Sequence, residues 1–333
     1  MITIIIPTLN EALYIKDCLT CVSNFDIPLN QTIEIFVIDG GSQDNTIEIV
    51  HKFIEQESRV VLFDNPMKIQ AVALNIGIKN SNGDWILRLD AHAKYPKDYL
   101  LNCFNTALKT KAENVGGLFI TQPGGDGYQA KLVQALTTHI FGVGNAGFRI
   151  GMSEGEADTV PYGFYKTEIF KKLGYLDERL VRAQDYEFNS RLIKSGGKIW
   201  RNPNIQIEYY NQSTLYKFLR KQIFLEAPYN VYMWYLAPYS FAYRHAITGI
   251  FTFCLSAGFF LSISLPLVKI VLSSVIILYF CLSVLSAIQQ AKRYSNLLHV
   301  FTLPISFFLY HYIHGLGIIV GFVRLLTGTS PVQ

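Results

Sequence analysis

The chain has 333 residues, half of them hydrophobic, with only 16% charged and a formal net charge of +4. Soluble domains carry about a quarter charged residues, so the deficit points to a large apolar region. A net charge this small makes no case for a nucleic-acid partner. The deficit is uneven: the chain reads as a soluble α/β protein up to about residue 240 and as membrane beyond it. The five cysteines, Cys18, Cys21, Cys103, Cys254 and Cys281, form no framework. Cys18-x-x-Cys21 has the spacing of a redox or zinc half-site, but no second pair accompanies it. Cys18 also falls on an apolar helical pattern, so structural thiols are expected.

In chain order, Ile2 to Ile6 is a β-branched run of the kind that forms a central parallel strand. Met1 leads straight into it, so no signal peptide is expected and the N-terminal domain is expected in the cytosol. The run stops at Pro7-Thr8-Leu9-Asn10-Glu11, where Asn10 can cap a helix with Ala12, Leu13, Ile15, Leu19 and Val22 on its apolar face. A second strand, Ile33 to Ile38, ends at Asp39-Gly40-Gly41-Ser42-Gln43-Asp44-Asn45-Thr46, and a helix follows through Ile47, Val50, Phe53 and Ile54. Val60 to Phe63 reads as a third strand and Lys68 to Ile78 as a helix. This alternation predicts a parallel sheet with right-handed crossovers, whose ligands sit beyond the carboxyl ends of the strands. Thr8, Asn10, Glu11, Asp39, Asp90 and His92 all fall at such ends.

Trp85 to Leu89 predicts a buried strand that runs into Asp90-Ala91-His92. Period-two geometry lets Asp90 and His92 point the same way, and a carboxylate beside an imidazole can hold a divalent ion. The plainer alternative is a turn-capping Asp90 and a surface His92. Lys97 to Ala112 predicts a helix and Val115 to Ile120 a strand. Gln122 to Thr159 is glycine-rich without a clear strand and reads as an irregular lid or binding loop. Glu168 to Leu173 is a short helix, and Gln184-Asp185-Tyr186-Glu187 opens another, for which Asp185 could be no more than the N-cap. Ile199 to Ile207 alternates as a strand interrupted by Pro203.

Ser213 to Leu236 mixes aromatic and basic residues, which suits a helix in the headgroup layer or an ordinary packed helix pair. Three apolar runs follow, Ala246 to Leu265, Leu267 to Ile288 and Leu298 to Leu325, each long enough to span a bilayer. The third carries His299, His311 and His314, expected near an end or against a partner helix, and a Gly315-x-Gly317-x-x-x-Gly321 face for close packing. It spans or re-enters. Arg244, Lys292 and Arg293 put the cytosol on the side of the N-terminal domain and the C-terminus outside. The expected organisation is an α/β domain over 1–212, an amphipathic interfacial segment over 213–245 and a membrane domain of about three helices over 246–326.

Together the markers Pro7-Thr8-Leu9-Asn10-Glu11, Ile38-Asp39-Gly40-Gly41-Ser42-x-Asp44-x-Thr46, Leu74-Asn75-x-Gly77, Leu89-Asp90-Ala91-His92 and Gln184-Asp185-Tyr186-Glu187 resemble a family 2 glycosyltransferase of the GT-A fold, over about the first 240 residues. Asp-Ala-His, Lys68-x-Gln70 and Val160-Pro161-Tyr162-Gly163 are similar to a narrower group, the bacterial succinoglycan-type exopolysaccharide glycosyltransferases, which are membrane-bound at their C-terminal end.

The resemblance implies an inverting, metal-dependent transfer of a hexose from a UDP-sugar or similar donor to a lipid-linked saccharide. Thr8, Asn10, Glu11, Asp39, Asn75 and Asp90 would contact the nucleotide, with Asp39 at the uracil ring. Asp90 and His92 would hold Mg2+ or Mn2+ and the diphosphate, and Asp185 would be the base. Asp39 could also be a turn residue, and Glu11 could merely favour a helix dipole. His92 stands where the family has a second aspartate, and Gln184 where it has a glutamate. The implied partners are the donor, the acceptor, the bacterial inner membrane and other polysaccharide-assembly proteins. A plain lipid or growing polysaccharide as acceptor, and a non-catalytic nucleotide-binding scaffold, are the alternatives.

Overall fold

The computed structural model describes residues 1–333. Eight strands alternate with the helices: β1 (Ile2–Thr8), β2 (Ile33–Asp39), β3 (Val60–Asp64), β4 (Trp85–Arg88), β5 (Asn114–Gln122), β6 (Gly155–Glu156), β7 (Phe164–Lys166) and β8 (Ile199–Tyr210). The helices are α1 (Ile15–Ser23), α2 (Thr46–Ile54), α3 (Gln70–Asn80), α4 (Tyr99–Thr110), α5 (Tyr128–Thr137), α6 (Ile140–Val143), α7 (Gly147–Ile150), α8 (Glu168–Leu173), α9 (Gln184–Lys194), α10 (Leu215–Lys221), α11 (Ala227–Leu236), α12 (Tyr243–Ser262), α13 (Pro266–Arg293) and α14 (Leu298–Leu326). The chain forms two compact units, one from Met1–Ile120 with Gly151–Tyr210 and one from Thr121–Ile150 with Asn211–Gln333.

The first unit is the α/β fold. The sheet order is β3-β2-β1-β4-β7-β5-β8-β6, with β1 to β4 parallel and β7 antiparallel to both β4 and β5. Side-chain alternation along β1 divides the core. Ile2, Ile4 and Ile6 pack with α1, α2 and α4, whereas Ile5 packs with α3, α8 and α9. Burial on both faces is why these strands read as unbroken apolar runs. The register sets Thr8 level with Asp39, and Asp39 level with Asp64, so the polar residues that end β1, β2 and β3 line one rim.

Three expectations fail locally. Asn10 caps no helix: it sits at φ 55°, and α1 starts five residues later with Leu13 84% exposed. The Asn10 side chain is instead committed to the neighbouring loop, described below. The stretch from 122 to 159, expected to be an irregular lid, carries α5, α6, α7 and the short β6. Its apolar residues are spaced for burial against helices, and the glycines obscured that period. Pro203 does not interrupt β8, which runs unbroken from Ile199 to Tyr210, with the Asn202 side chain accepting the Asn204 N–H at 2.9 Å.

The second unit is helical. Leu132, Val133 and Leu136 of α5 pack with Phe218, Ala287, Leu303 and Phe307. Polar side chains tie α5 to the long helices: Tyr128 bonds Thr302 at 2.6 Å and His299 at 3.2 Å, Gln290 donates to Thr138 at 3.0 Å, and Arg293 donates to the Thr138 carbonyl at 3.1 Å. α11 is buried over most of its length, from Ala227 to Met233, as a packed helix is. Tyr216, Phe224 and Tyr235 stay exposed in the same segment.

α12, α13 and α14 are long and apolar enough to cross a membrane. α14 runs unbroken through 29 residues. Its histidines face partner helices: His314 bonds Thr248 at 2.7 Å and His311 bonds Tyr279 at 2.8 Å. Its glycines mark close contacts, because a Cβ on Gly315 would collide with Thr252 and the Thr248 carbonyl, and one on Gly317 would come within 2.7 Å of the Ala227 Cβ.

Gly315→Val therefore lowers stability in detergent by about 1–3 kcal/mol, the cost of overpacking. Gly258→Ala, where the nearest atom is a flexible Leu272 methyl at 3.3 Å, stays within about 0.5 kcal/mol of wild type. Thermal melts of the two variants check the contrast.

Candidate functional site

The site is built at the carboxyl ends of β1, β2 and β4. Asp39 ends β2, is 2% exposed, and holds its own loop. Its Oδ2 accepts the Gly41 and Ser42 N–H groups at 2.7 and 2.8 Å, and its Oδ1 accepts the Ser42 hydroxyl at 2.5 Å. Gly41 is at φ 76°, a conformation that suits glycine in this turn. The loop is cross-linked to the end of β1: the Asn10 N–H donates to Ser42 Oγ at 2.8 Å, and Asn10 Oδ1 accepts the Gln43 N–H at 2.8 Å. The Glu11 N–H donates to Thr46 Oγ1 at 2.9 Å. The Thr8 hydroxyl turns back to the Ile6 carbonyl at 3.0 Å.

Asp90 lies just past β4. Its Oδ1 accepts from Arg88 Nη2 at 2.7 Å and from Gln70 Nε2 at 3.3 Å. Its backbone exchanges two hydrogen bonds with the Tyr95 hydroxyl, at 2.9 and 3.0 Å, which locks the turn. The side chains of Arg88 and Asp90 are 13% and 15% exposed, and the guanidinium stacks over the Tyr162 ring at 4.8 Å. Burial works against the Arg88 charge, but the fields of Asp90, Tyr162 and Asp185 outweigh it and hold the group protonated beyond its ordinary range. Removing either partner alone would leave a buried charge uncompensated.

His92 pairs with Glu11, Nδ1 to Oε1 at 2.8 Å. The hydrogen bond to Glu11 raises the imidazole pKa above its ordinary value, against the opposing effect of burial. With Glu11 on the Nδ1 side, Nε2 is the nitrogen left to face a ligand. A carboxylate that orients a histidine this way is the usual outer support of a metal ligand.

Asp185 occupies the first turn of α9, not its cap. The N-cap is Ala183 at φ 64°, and Asp185 Oδ1 accepts the Tyr186 N–H at 2.8 Å. The two other acids near it are committed: Glu187 pairs with Arg191 at 2.7 Å, and Asp177 with Arg179 at 2.7 Å. Asn75 is the predicted residue that the structure turns away. It is 2% exposed and its amide is spent on the 176–178 segment, donating to the Leu176 carbonyl and Glu178 at 2.9 and 2.8 Å and accepting the Leu176 N–H at 3.0 Å. Its role is to clamp that segment to α3.

Arg88, Gln70, Tyr162 and Gln184 complete the group, with Gln184 Nε2 donating to Gln70 Oε1 at 2.8 Å. Sequence reasoning assigned none of them a role. The available signal was an arginine inside the apolar run Trp85 to Leu89, since a charge in a buried strand needs a partner. Asn10, Lys68, Tyr162 and Ala183 all have positive φ. For Tyr162, a bulky residue stacked against Arg88, that conformation is a costly one held by its surroundings.

The donor set of Asp90 and His92 fits a divalent ion that takes the rest of its ligands from phosphate oxygens and water. One Asp90 oxygen is taken by Arg88 and Gln70, which leaves the other for a ligand. Glu11 is spent on His92 Nδ1, so the two protein ligands such an ion could take here are Asp90 and His92.

The fold is that of nucleotide-diphospho-sugar transferases. The structure aligns with the mannosyltransferase PcManGT from Pyrobaculum calidifontis, solved in complex with GDP-Man and Mn2+, with TM-score 0.58 and 17% identity, over 98% of this chain and 86% of that one. The profile of glycosyl transferase family 2 matches residues 3–174, and the chain belongs to this family. It is 34% identical over 230 residues to the dolichyl N-acetyl-alpha-D-glucosaminyl phosphate 3-beta-D-2,3-diacetamido-2,3-dideoxy-beta-D-glucuronosyltransferase of Methanococcus voltae, covering 67% of this chain and 70% of that one. It is 31% identical over 214 residues to the succinoglycan biosynthesis protein ExoA of Rhizobium meliloti, covering 64% of each.

Proposed function

We propose that this chain is an inverting, metal-assisted membrane glycosyltransferase. It moves a hexose from a nucleotide sugar, a UDP-sugar in our reading, to a lipid-linked saccharide at the cytosolic face, in the synthesis of an exopolysaccharide or other cell-surface glycan. The observation that carries this reading is one family 2 chain that gathers Asp90, His92 and Asp185 in its α/β unit and also has three helices of membrane-spanning length. The acceptor class is supported by the Methanococcus relative, whose name includes a dolichyl-linked glucosaminyl phosphate, and the pathway by the succinoglycan relative. The neighbouring mannosyltransferase, solved with Mn2+, supports the metal.

In this reading Thr8, Asn10, Glu11 and the Asp39 loop form the nucleotide pocket, and Asn75 supports it from behind. Asp90 and His92 would hold Mg2+ or Mn2+, which when bound would supply neutralisation of the leaving diphosphate. Asp185 accepts the proton of the acceptor hydroxyl as its oxygen bonds to the anomeric carbon. The bond from that carbon to the diphosphate breaks, its electron pair departs with the nucleoside diphosphate, and configuration inverts. Arg88 and the Glu11–His92 pair keep the flanking carboxylates from repelling the diphosphate.

Asp185→Asn keeps the shape of the first turn of α9 but accepts no proton. Turnover falls by about two to four orders of magnitude, while donor affinity and melting temperature stay near wild type. Near-normal turnover in Asp185→Asn would remove it from the base role.

Excess chelator abolishes turnover, and Mn2+ or Mg2+ restores it. Asp90→Ala loses both turnover and donor binding, and His92→Asp retains activity with altered metal preference. Full activity in chelator would refute the metal.

Arg244 in the first turn of α12, and Lys292 and Arg293 in the last turn of α13, support the cytosolic side by the positive-inside rule. A reporter fused at the C-terminus is therefore expected outside the cytosol, and a cytosolic reporter would overturn the orientation.

A further inference from the structure

We propose that Gln70 and Gln184 are positioning residues, which with Arg88 fix the donor-site carboxylate of Asp90 in register with the helix that carries Asp185. The inference rests on the roles given to Asp90 and Asp185 above. Gln70 is the first residue of α3 and Gln184 the first residue of α9. Gln184 donates to Gln70 at 2.8 Å, Gln70 donates to Asp90 Oδ1 at 3.3 Å, and Arg88 donates to the same oxygen at 2.7 Å. The chain thus ties the start of two helices, 114 residues apart in sequence, to the end of β4. Gln184 is 5% exposed and adjoins Asp185 directly.

The direction of the chain follows from chemistry. Asp90 as a carboxylate only accepts, so Gln70 presents its NH2 to it. Gln70 Oε1 then needs a donor, and Gln184 supplies one. A glutamate at 184 has no proton to give. Gln70 would have to turn to satisfy it, and its carbonyl would then face Asp90. An amide at 184 is therefore what this arrangement requires, and it accounts for the glutamine at the position where the resemblance implied a glutamate. Both bonds to Asp90 fall on Oδ1, so the chain selects which oxygen is left for a ligand.

The test uses the full chain purified in detergent, with Mn2+ titrated calorimetrically in the presence of UDP, alongside steady-state kinetics and thermal melts. Gln70→Met and Gln184→Met each weaken Mn2+ binding about tenfold, as loss of a residue supporting a metal ligand does, and lower kcat more than they raise the donor KM. Gln184→Glu, of the same size, weakens Mn2+ binding likewise and keeps the test valid if the apolar variants fold poorly. The Gln70→Met/Gln184→Met double variant is no worse than either single variant, because one break already severs the chain. Wild-type Mn2+ affinity in Gln184→Glu and Gln70→Met, or losses that multiply in the double variant, would overturn the proposal. Asp90→Ala separates the two layers. If it abolishes Mn2+ binding while the glutamine variants bind normally, only the positioning role fails. If Asp90→Ala binds Mn2+ as wild type, the donor-site reading fails and the positioning role falls with it.

Discussion

The half-buried pair of Arg88 and Asp90 is the constraint around which the α/β unit is arranged. A strand surrounded by apolar layers cannot carry an isolated guanidinium, so Arg88 must find an anion and a flat surface within reach. Asp90, two residues on, supplies the first, and the Tyr162 ring supplies the second at 4.8 Å. Tyr162 reaches that position only with φ 46°, which is costly for an aromatic residue. The Tyr95 hydroxyl then closes the turn on the Asp90 backbone. One charge at a strand end thus dictates the geometry of residues drawn from β4, the loop before β7 and the start of α3.

The same logic separates residues with a polar atom to spare from residues that hold the frame. Asp39 and Asn75 spend their polar atoms on backbone and neighbouring side chains, and so shape the rim. Asp90, His92 and Asp185 each keep a polar atom beyond their internal bonds. Glu187 and Asp177, equally acidic and close in sequence, are neutralised by Arg191 and Arg179. Proximity in sequence to a motif is a poor guide to role, whereas the inventory of bonds is a good one.

Much of the fold was legible in the sequence because buried parallel strands and membrane-length helices are long, uniform signals. The runs at Ile2, Ile33, Val60 and Trp85 and the three terminal helices fall within a few residues of where periodicity puts them. Asp39 ends β2, and Asp90 and His92 follow the end of β4, as the strand pattern put them. What was not legible depends on contacts distant in sequence. Asn10 looks like a cap, but Ser42 and Gln43 claim it from 32 and 33 residues away. α5 hides in a glycine-rich stretch because its partners, Leu303 and Phe307, lie far along the chain. The Gln184–Gln70 bond left no local pattern at all. In the helical unit the glycine spacing could be read, but the polar cross-links through Tyr128, Thr138 and Gln290 could not.

The proposed reaction, transfer of a sugar from a nucleotide donor to a lipid-linked acceptor, can be followed directly. The direct measurement incubates the detergent-purified chain with a panel of radiolabelled nucleotide sugars, with and without an extract of lipid-linked saccharides, and follows label into the organic phase. One donor, a UDP-sugar, is expected to label the lipid fraction, with nucleoside diphosphate released in equal amount and the new linkage of opposite anomeric configuration to the donor. Absence of lipid labelling across the panel, with each donor still bound, would contradict it and leave a nucleotide-binding membrane protein without transfer.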